Sequence, residues 1–351
     1  MRSPLNKRLF RELRGEFGKY LVIFILMTLT IGMVSGFLVA DGSMIQAYEE
    51  SFEKYNIENG HFRTEKKMNN AQIQDIEDLG IKLYENYYVE EALTNGSTMR
   101  IFKNRDEVNK VCLMKGKMPE KPGEIGIDRM YADNNDLSVG DEIESGGHTW
   151  KITGLVALSD YSALFSDNND SMFDSVKFGV SLVCPEEFDS YKADQLNYSY
   201  AWKYNTEPKN EKAEKDISED LMEDVAKEVT LEEFVPRYTN QAIIFTGDDM
   251  GGDRSMMIVL LYIIIVIMAF VFAITTNNTI RKEANVIGTL RASGYTRGEL
   301  IRHYMAAPVF VTFIGAIIGN IIGYTVGKDY CAGLYYGSYS LPTYVTIWNA
   351  E

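Results

Sequence analysis

The chain has 351 residues, 35 Lys and Arg against 50 Asp and Glu, and a formal net charge of −15. A surface this acidic excludes nucleic acid as a partner, because the phosphate backbone would be repelled. The length would suit two or three soluble domains, but the apolar residues, 46% of the chain, are gathered into long uncharged runs that a soluble domain does not need.

Residues 1–19 form a basic lead-in, with Leu5, Leu9, Phe10, Leu13 and Phe17 at helical spacing between Arg and Lys. That pattern predicts an amphipathic helix lying on a membrane surface, its cations at the lipid headgroups. An ordinary lead-in to the first span would carry the same cations. Tyr20–Ala40 has no charge and about the length that crosses a hydrocarbon core of roughly 30 Å as helix. A cleaved signal peptide would share the basic flank, but its apolar run is shorter and a small-residue cleavage site follows it.

Residues 41–255 are expected to form one inserted α+β domain. They hold 44 acidic and 23 basic residues, so the negative charge of the chain is concentrated here. Ile45, Tyr48, Phe52 and Tyr55 continue the first span as an amphipathic helix. Helix is predicted over Asn70–Leu79, and strands over Ile81–Val89, Thr98–Lys103 and Lys110–Met114. Gly123–Leu158 reads as a small β-rich subdomain: a short strand, a helical turn, then two strands, with Gly140 and the Gly146-Gly147 pair supplying turns. Further strands are predicted at Val176–Val183, Asn197–Lys203 and Val229–Val235. Asn210–Glu228 reads as a helix docking through Ala213, Ile217, Leu221 and Val225.

The second uncharged run is Met256–Ile274 and the third Ala306–Gly327. The third carries Gly315, Gly319, Gly323 and Gly327, a glycine every fourth residue, which predicts a helix face that a second helix can approach closely. Between these spans, 275–305 makes a charged excursion. Val286, Ile287 and Leu290 lie on one side of a predicted helix, Gly294 is placed to end it, and Thr296-Arg297-Gly298-Glu299 is a capping box that starts another. The expected result is a sharp corner with Ile287, Leu290 and Gly294 near its tip. Lys and Arg cluster before the first span and in this excursion, so both are expected in the cytoplasm and the acidic domain outside. Residues 328–351 would then be an exterior tail.

The remaining signals are weak. Asp133-Asn134-Asn135-Asp136 recurs as Asp167-Asn168-Asn169-Asp170; calcium takes such ligands, but so do turns closed by Asx side chains, which are the expectation here. Cys112, Cys184 and Cys331 have no metal spacing, and a Cys112–Cys184 disulfide or two free thiols are both open. His61, His148 and His303 are scattered. No catalytic set, metal site or cofactor motif stands out, and no G-x-x-x-x-G-K-[ST] stretch is present to cradle phosphates. The chain is therefore read as non-enzymatic.

The stretch Ile287-Gly288, Leu290-Arg291-Ala292, Gly294 and Thr296-Arg297 resembles the cytoplasmic loop of FtsX-like ABC transporter permeases, the group that includes the MacB-like exporters. The Gly123–Val156 segment resembles the β-rich subdomain of that family's exterior domain, and one span followed by a large exterior domain and further spans is the family's order. The resemblance implies a multi-pass protein of the bacterial cytoplasmic membrane with helical spans and an inserted α+β domain of MacB periplasmic-core type. Its partners would be a separate cytoplasmic ABC ATPase, a second permease copy or homologous half, and membrane lipids. Glu283, Ile287, Gly288, Leu290, Arg291, Gly294, Thr296 and Arg297 would form the ATPase-coupling corner. The cargo would be a lipid, lipoprotein or peptide; some relatives instead regulate cell-wall hydrolases, and a membrane-anchored sensor without an ATPase is a further alternative. Two departures stand out. Glu283 lies further before the Ile-Gly pair than the family's acidic residue, and three spans appear where the family's unit has four, for which an incomplete chain is the simplest explanation.

Overall fold

The computed structural model describes residues 14–342. Most of the predicted lead-in helix lies outside the described residues. Within them the chain forms two compact units, 14–43 with 251–334, and 44–250 with 335–342.

The first unit is helical. Three helices are long and apolar enough to cross a membrane: Phe17–Lys54, Gln241–Lys282 and the continuous run Arg297–Ser338. They are α1 (Phe17–Lys54), α6 (Gln241–Lys282) and, for the last run, α8 (Arg297–Ile322), a π-helical turn at Gly323–Gly327, and α9 (Lys328–Ser338). The short α7 (Ala284–Ala292) separates α6 from α8. Large apolar side chains such as Val22, Leu29, Ile263, Phe270 and Phe313 remain exposed along these helices. In water each would cost free energy in proportion to its area; in a hydrocarbon core they are matched to their solvent, which is why the helices tolerate them. The fold is thus the expected membrane class, helical spans with an inserted α+β domain.

The inserted domain has two sheets. The first has four antiparallel strands in the order β11 (Leu231–Pro236), β1 (Gly60–Thr64), β10 (Tyr198–Tyr204), β2 (Ile81–Glu85). The second is mixed and seven-stranded: β3 (Tyr88–Ala92), β4 (Thr98–Lys103), β9 (Phe178–Val183), β6 (Glu124–Asp128), β8 (His148–Leu158), β5 (Val111–Gly116), with β7 (Glu142–Ser145) paired to β8. Three helices join them: α2 (Asn70–Glu77), α3 (Arg129–Asn134) and α5 (Glu211–Glu228), with a single turn α4 at Pro185–Phe188. The Gly123–Leu158 segment has the strand, turn, strand, strand order expected of it. Its residues fill the second sheet's core, with Ile125, Ile127, Trp150, Ile152 and Val156 fully buried. On the first sheet Phe62, Tyr200, Trp202 and Phe234 stack at centroid separations of 4.8–6.3 Å.

Two sequence expectations are corrected. Ile81–Val89 is not one strand. It breaks at Asn86-Tyr87, so that β2 edges the first sheet and β3 the second. Asn86 is held at the crossing by its own N–H to Ser199 O and by a bond from Arg105 Nη1 at 3.0 Å, partners far away in sequence. The buried stripe of α5 is Ser218, Leu221 and Val225. Ile217 is exposed, because the helix is rotated so that Ser218 can meet the Tyr238 hydroxyl at 3.0 Å.

The second Asp-Asn-Asn-Asp segment closes a turn through its own side chains: Asp167 accepts from the Asn169 N–H at 2.8 Å and Asp170 from the Asp167 N–H at 3.2 Å. The first ends α3, with Asn135 as its C-cap. The three cysteines are free thiols. The 328–342 stretch, read as a tail, continues as helix to Ser338, and its end docks on the inserted domain. Arg129 Nη2 donates to the carbonyls of Tyr336 and Tyr339 at 2.8 and 2.7 Å, and the Ser340 hydroxyl donates to the buried Asp128 carboxylate.

Candidate coupling site

The corner is built by two local devices. At the end of α7, Gly294 adopts φ +95°, a left-handed conformation in which a Cβ would be strained. The Tyr295 N–H reaches Leu290 O at 3.2 Å and the Gly294 N–H reaches Arg291 O at 3.1 Å, the paired bonds of a Schellman motif. Two residues on, the Thr296 hydroxyl accepts from the Glu299 N–H at 3.3 Å while the Glu299 carboxylate accepts from the Thr296 N–H at 2.8 Å. This reciprocal box opens α8 at Arg297. Chain direction therefore changes within Ser293–Thr296 with its terminal backbone groups satisfied, so the bend is ordered without any covering element.

No residue of α7 is buried. Ile287 and Leu290 are half-covered, while Gly288, Arg291, Gly294, Thr296 and Arg297 are exposed. A Cβ added at Gly288 or Gly294 would meet nothing within 4 Å. Glu283 differs from the rest. It sits in the break between α6 and α7, and its carboxylate accepts from the Tyr304 hydroxyl of α8 at 2.6 Å. Its place in this structure is to tie the corner to α8 rather than to stand at the tip.

Three further bonds lie at the same level. Lys282 Nζ meets Glu16 Oε1 at 3.2 Å, and Lys19 Nζ meets Glu16 Oε2 at 3.1 Å and Thr279 Oγ1 at 2.6 Å. Together they join the start of α1, the end of α6 and the start of α8 in one polar layer. Sequence reasoning missed these residues, because their partners are 260 or more positions apart for α1 to α6 and no spacing rule reports that.

Gly315, Gly319, Gly323 and Gly327 face α1. A Cβ at Gly319 would lie 2.8 Å from Thr28 O, and one at Gly323 would lie 2.7 Å from Gly32 O and 2.9 Å from Gly36 N. At Gly315 and Gly327 the nearest atoms are 3.3 and 3.2 Å away. The matching surface on α1 is Thr28, Gly32, Ser35 and Gly36, and a Cβ at Gly36 would be 2.8 Å from the Gly327 carbonyl carbon. Gly32 and Gly36 were not singled out from the sequence, although two glycines four apart in an uncharged run carry the same signal as those in α8. The π-turn at Gly323–Gly327 has no such signal.

The inserted domain also holds a polar cleft of about 570 Å³ between β1, β3 and β4, lined by Glu58, His61, Arg63, Arg100, Asp160 and their neighbours. Its lining residues Asp160, Glu58 and His61 belong to a charged network. Arg105 makes a two-pronged pair with Asp160 at 2.7 and 2.8 Å, and buried Glu58 accepts from Asn109 Nδ2 and pairs with His61 Nδ1, both at 2.6 Å. Burial opposes the charge on Glu58, but the imidazole and amide beside it prevail and hold its pKa below the ordinary carboxylate value. Burial likewise opposes the charge on His61, and the Glu58 carboxylate prevails and raises its pKa.

Long apolar helices, an uncovered ordered corner between two of them and a two-sheet domain inserted between the first pair define the class as a multi-span membrane protein. Residues 258–350 match the family described as FtsX-like permease C-terminal, the family that the corner residues resemble. No curated protein matches the chain. Among solved structures, the periplasmic region of MacB from Actinobacillus actinomycetemcomitans aligns at 12% identity and a TM-score of 0.28, over 48% of this chain and 85% of that one. The extracellular domain of the noncanonic ABC-type transporter YknZ from Gram-positive bacteria aligns at 11% identity and a TM-score of 0.27, over 50% of this chain and 98% of that one.

Proposed function

We propose that this chain is the membrane subunit of an ABC transporter, receiving movement from a separate cytoplasmic ATPase through the α7 corner. The cargo class we assign is a lipid, lipoprotein or peptide. One observation carries the reading: α7 and its flanks are held rigidly by a Schellman motif and a capping box, yet none of α7 is buried. An ordered, partly apolar knob costs conformational entropy to maintain, and a groove on a partner would give that order a use. Ile287 and Leu290 would supply the apolar contact, Arg291 and Arg297 the surrounding charge, and Gly288 and Gly294 the close approach. The polar layer Glu16–Lys282, Lys19–Thr279 and Glu283–Tyr304 would pass displacement of the knob to α1, α6 and α8. The cluster of Lys and Arg at the start of α1 and in the corner supports a cytoplasmic location for this end.

The test is co-purification of the ATPase from native membranes with wild type and Gly288→Leu. Because a Cβ at Gly288 meets nothing within 4 Å of its own chain, the variant is expected to insert and fold as wild type does. The reading expects wild type to bring down an ATPase and Gly288→Leu to lose it. Equal recovery of the ATPase by both proteins, or none with folded wild type, would remove the corner from its assigned role.

A further inference from the structure

A groove of about 520 Å³ runs between the start of α1 and the middle of α8, lined by Phe17, Tyr20 and Phe24 on one side and Phe310 and Ile314 on the other. Its lining is apolar except at one end, where Arg14 stands. Phe17 and Phe310 remain more than half exposed, at 62% and 57%, so the groove is open and is not filled by side chains of the described residues. Arg14 has no ion-pair or hydrogen-bond partner among the described residues, whereas Lys19 and Lys282 are both engaged with Glu16.

The depth of the groove is informative. The polar layer marked by Glu283 and Tyr304 fixes one membrane face on α8. Ile314 lies ten residues beyond Tyr304, about 15 Å along a helix rising 1.5 Å per residue. That is half of a hydrocarbon core of about 30 Å. On α8 the lining therefore reaches about the depth of a single leaflet, while on α1 it ends at Phe24, five residues beyond Lys19 of the polar layer. A transmembrane helix from another protein would need the full thickness. A lipid chain needs only this half, and its headgroup would arrive at the Arg14 guanidinium.

We propose that this groove is a binding site for one acyl chain of an anionic phospholipid, whose phosphate is held by Arg14. The planar guanidinium suits a phosphate bidentately, and the four aromatic rings grip a flexible chain without needing polar contacts. The site would sit where Tyr20 packs with Ala307 and Val311, so that a bound lipid would brace α1 against α8. The proposal goes beyond the permease reading and does not depend on it, since no ATPase enters the argument.

The experiment uses the full chain carrying Phe310→Trp, reconstituted in vesicles of phosphatidylglycerol or phosphatidylcholine with dibrominated acyl chains as the quencher. One cation at the headgroup level favours an anionic lipid by about fivefold. The indole introduced by Phe310→Trp is expected to report that preference for brominated phosphatidylglycerol, and Arg14→Gln to abolish it. Arg254→Gln, which removes an equal charge from the other end of the α6 membrane segment, is expected to leave it intact. Equal quenching by the two lipids in the reporter protein would overturn the site, as would a preference that survives Arg14→Gln or falls equally with Arg254→Gln. Failure to recover an ATPase would leave these readouts unchanged, so the two proposals fail separately.

Discussion

Replacing Gly323 by alanine should separate α1 from α8, whereas the same change at Gly315 should be tolerated. Ordinary contacts of a Cβ lie at 3.4–4 Å. At Gly323 the added methyl would stand 2.7 Å from Gly32 O and 2.9 Å from Gly36 N, short by about 0.5–0.7 Å of that range and against backbone atoms that cannot rotate away. At Gly315 the nearest atom is Met27 Cβ at 3.3 Å, short by only about 0.1 Å. Overpacking of a tight interface costs about 1–3 kcal/mol, while alanine gains about 0.8–1.0 kcal/mol over glycine inside a helix. The two terms nearly cancel at worst for Gly315→Ala, and its net effect is expected to be neutral or stabilising. For Gly323→Ala the steric term wins, leaving a net loss of about 1–2 kcal/mol. Gly319→Ala, at 2.8 Å from Thr28 O, should fall near Gly323→Ala. The assay is an SDS titration of each variant in mixed micelles, followed by a Phe24→Trp reporter on the α1 face. If Gly323→Ala and Gly315→Ala unfolded at the same SDS fraction, close approach of the helix backbones would not be what the glycines provide.

Two other expectations concern the inserted domain. Arg105 and Asp160 have side-chain exposures of 7% and 4%, so Asp160→Ala should leave a buried guanidinium unpaired and cost about 3–5 kcal/mol. Asp189→Ala breaks the exposed pair with Lys103 and should cost at most about 1 kcal/mol; similar urea midpoints for the two variants would contradict this. The Glu58–His61 pair gives a pH dependence whose sign follows from both groups. His61, its pKa raised from 6.5, contributes stability that is complete below pH 6.5 and lost as pH rises through the raised value. Glu58, its pKa lowered from 4.5, contributes stability present above pH 4.5 and lost as pH falls through the lowered value. Denaturant melts of the domain signal should therefore weaken above pH 6.5 in wild type and not in His61→Gln; an equal slope in both would place the titration elsewhere.

The corner was legible in the sequence because its causes are local. Gly294 and the Thr296–Glu299 box act within four residues of themselves, and the left-handed glycine and reciprocal bonds appear where the letters place them. The break at Asn86-Tyr87 was not legible, because it is made by Ser199 and by Arg105, and a run of strand-forming residues looks the same whether it serves one sheet or two. The α5 stripe failed for a related reason: a rotation of one position lets Ser218 find Tyr238, and periodicity alone cannot distinguish neighbouring stripes. Glu283 gained its partner Tyr304 only once α8 folded back beside the end of α6.

The sequence by itself determined that this protein lives in a membrane, because hydrocarbon solvates whole uncharged helices and their length is written in consecutive letters. It also determined where the helices turn, because caps and left-handed glycines are short-range chemistry. Only the tertiary structure decided which helix the glycine face meets, which side chains tie α1, α6 and α8 into one polar layer, and that an apolar groove opens beside Arg14. Those depend on atoms brought within a few ångströms across hundreds of residues, where packing rather than spacing sets the outcome.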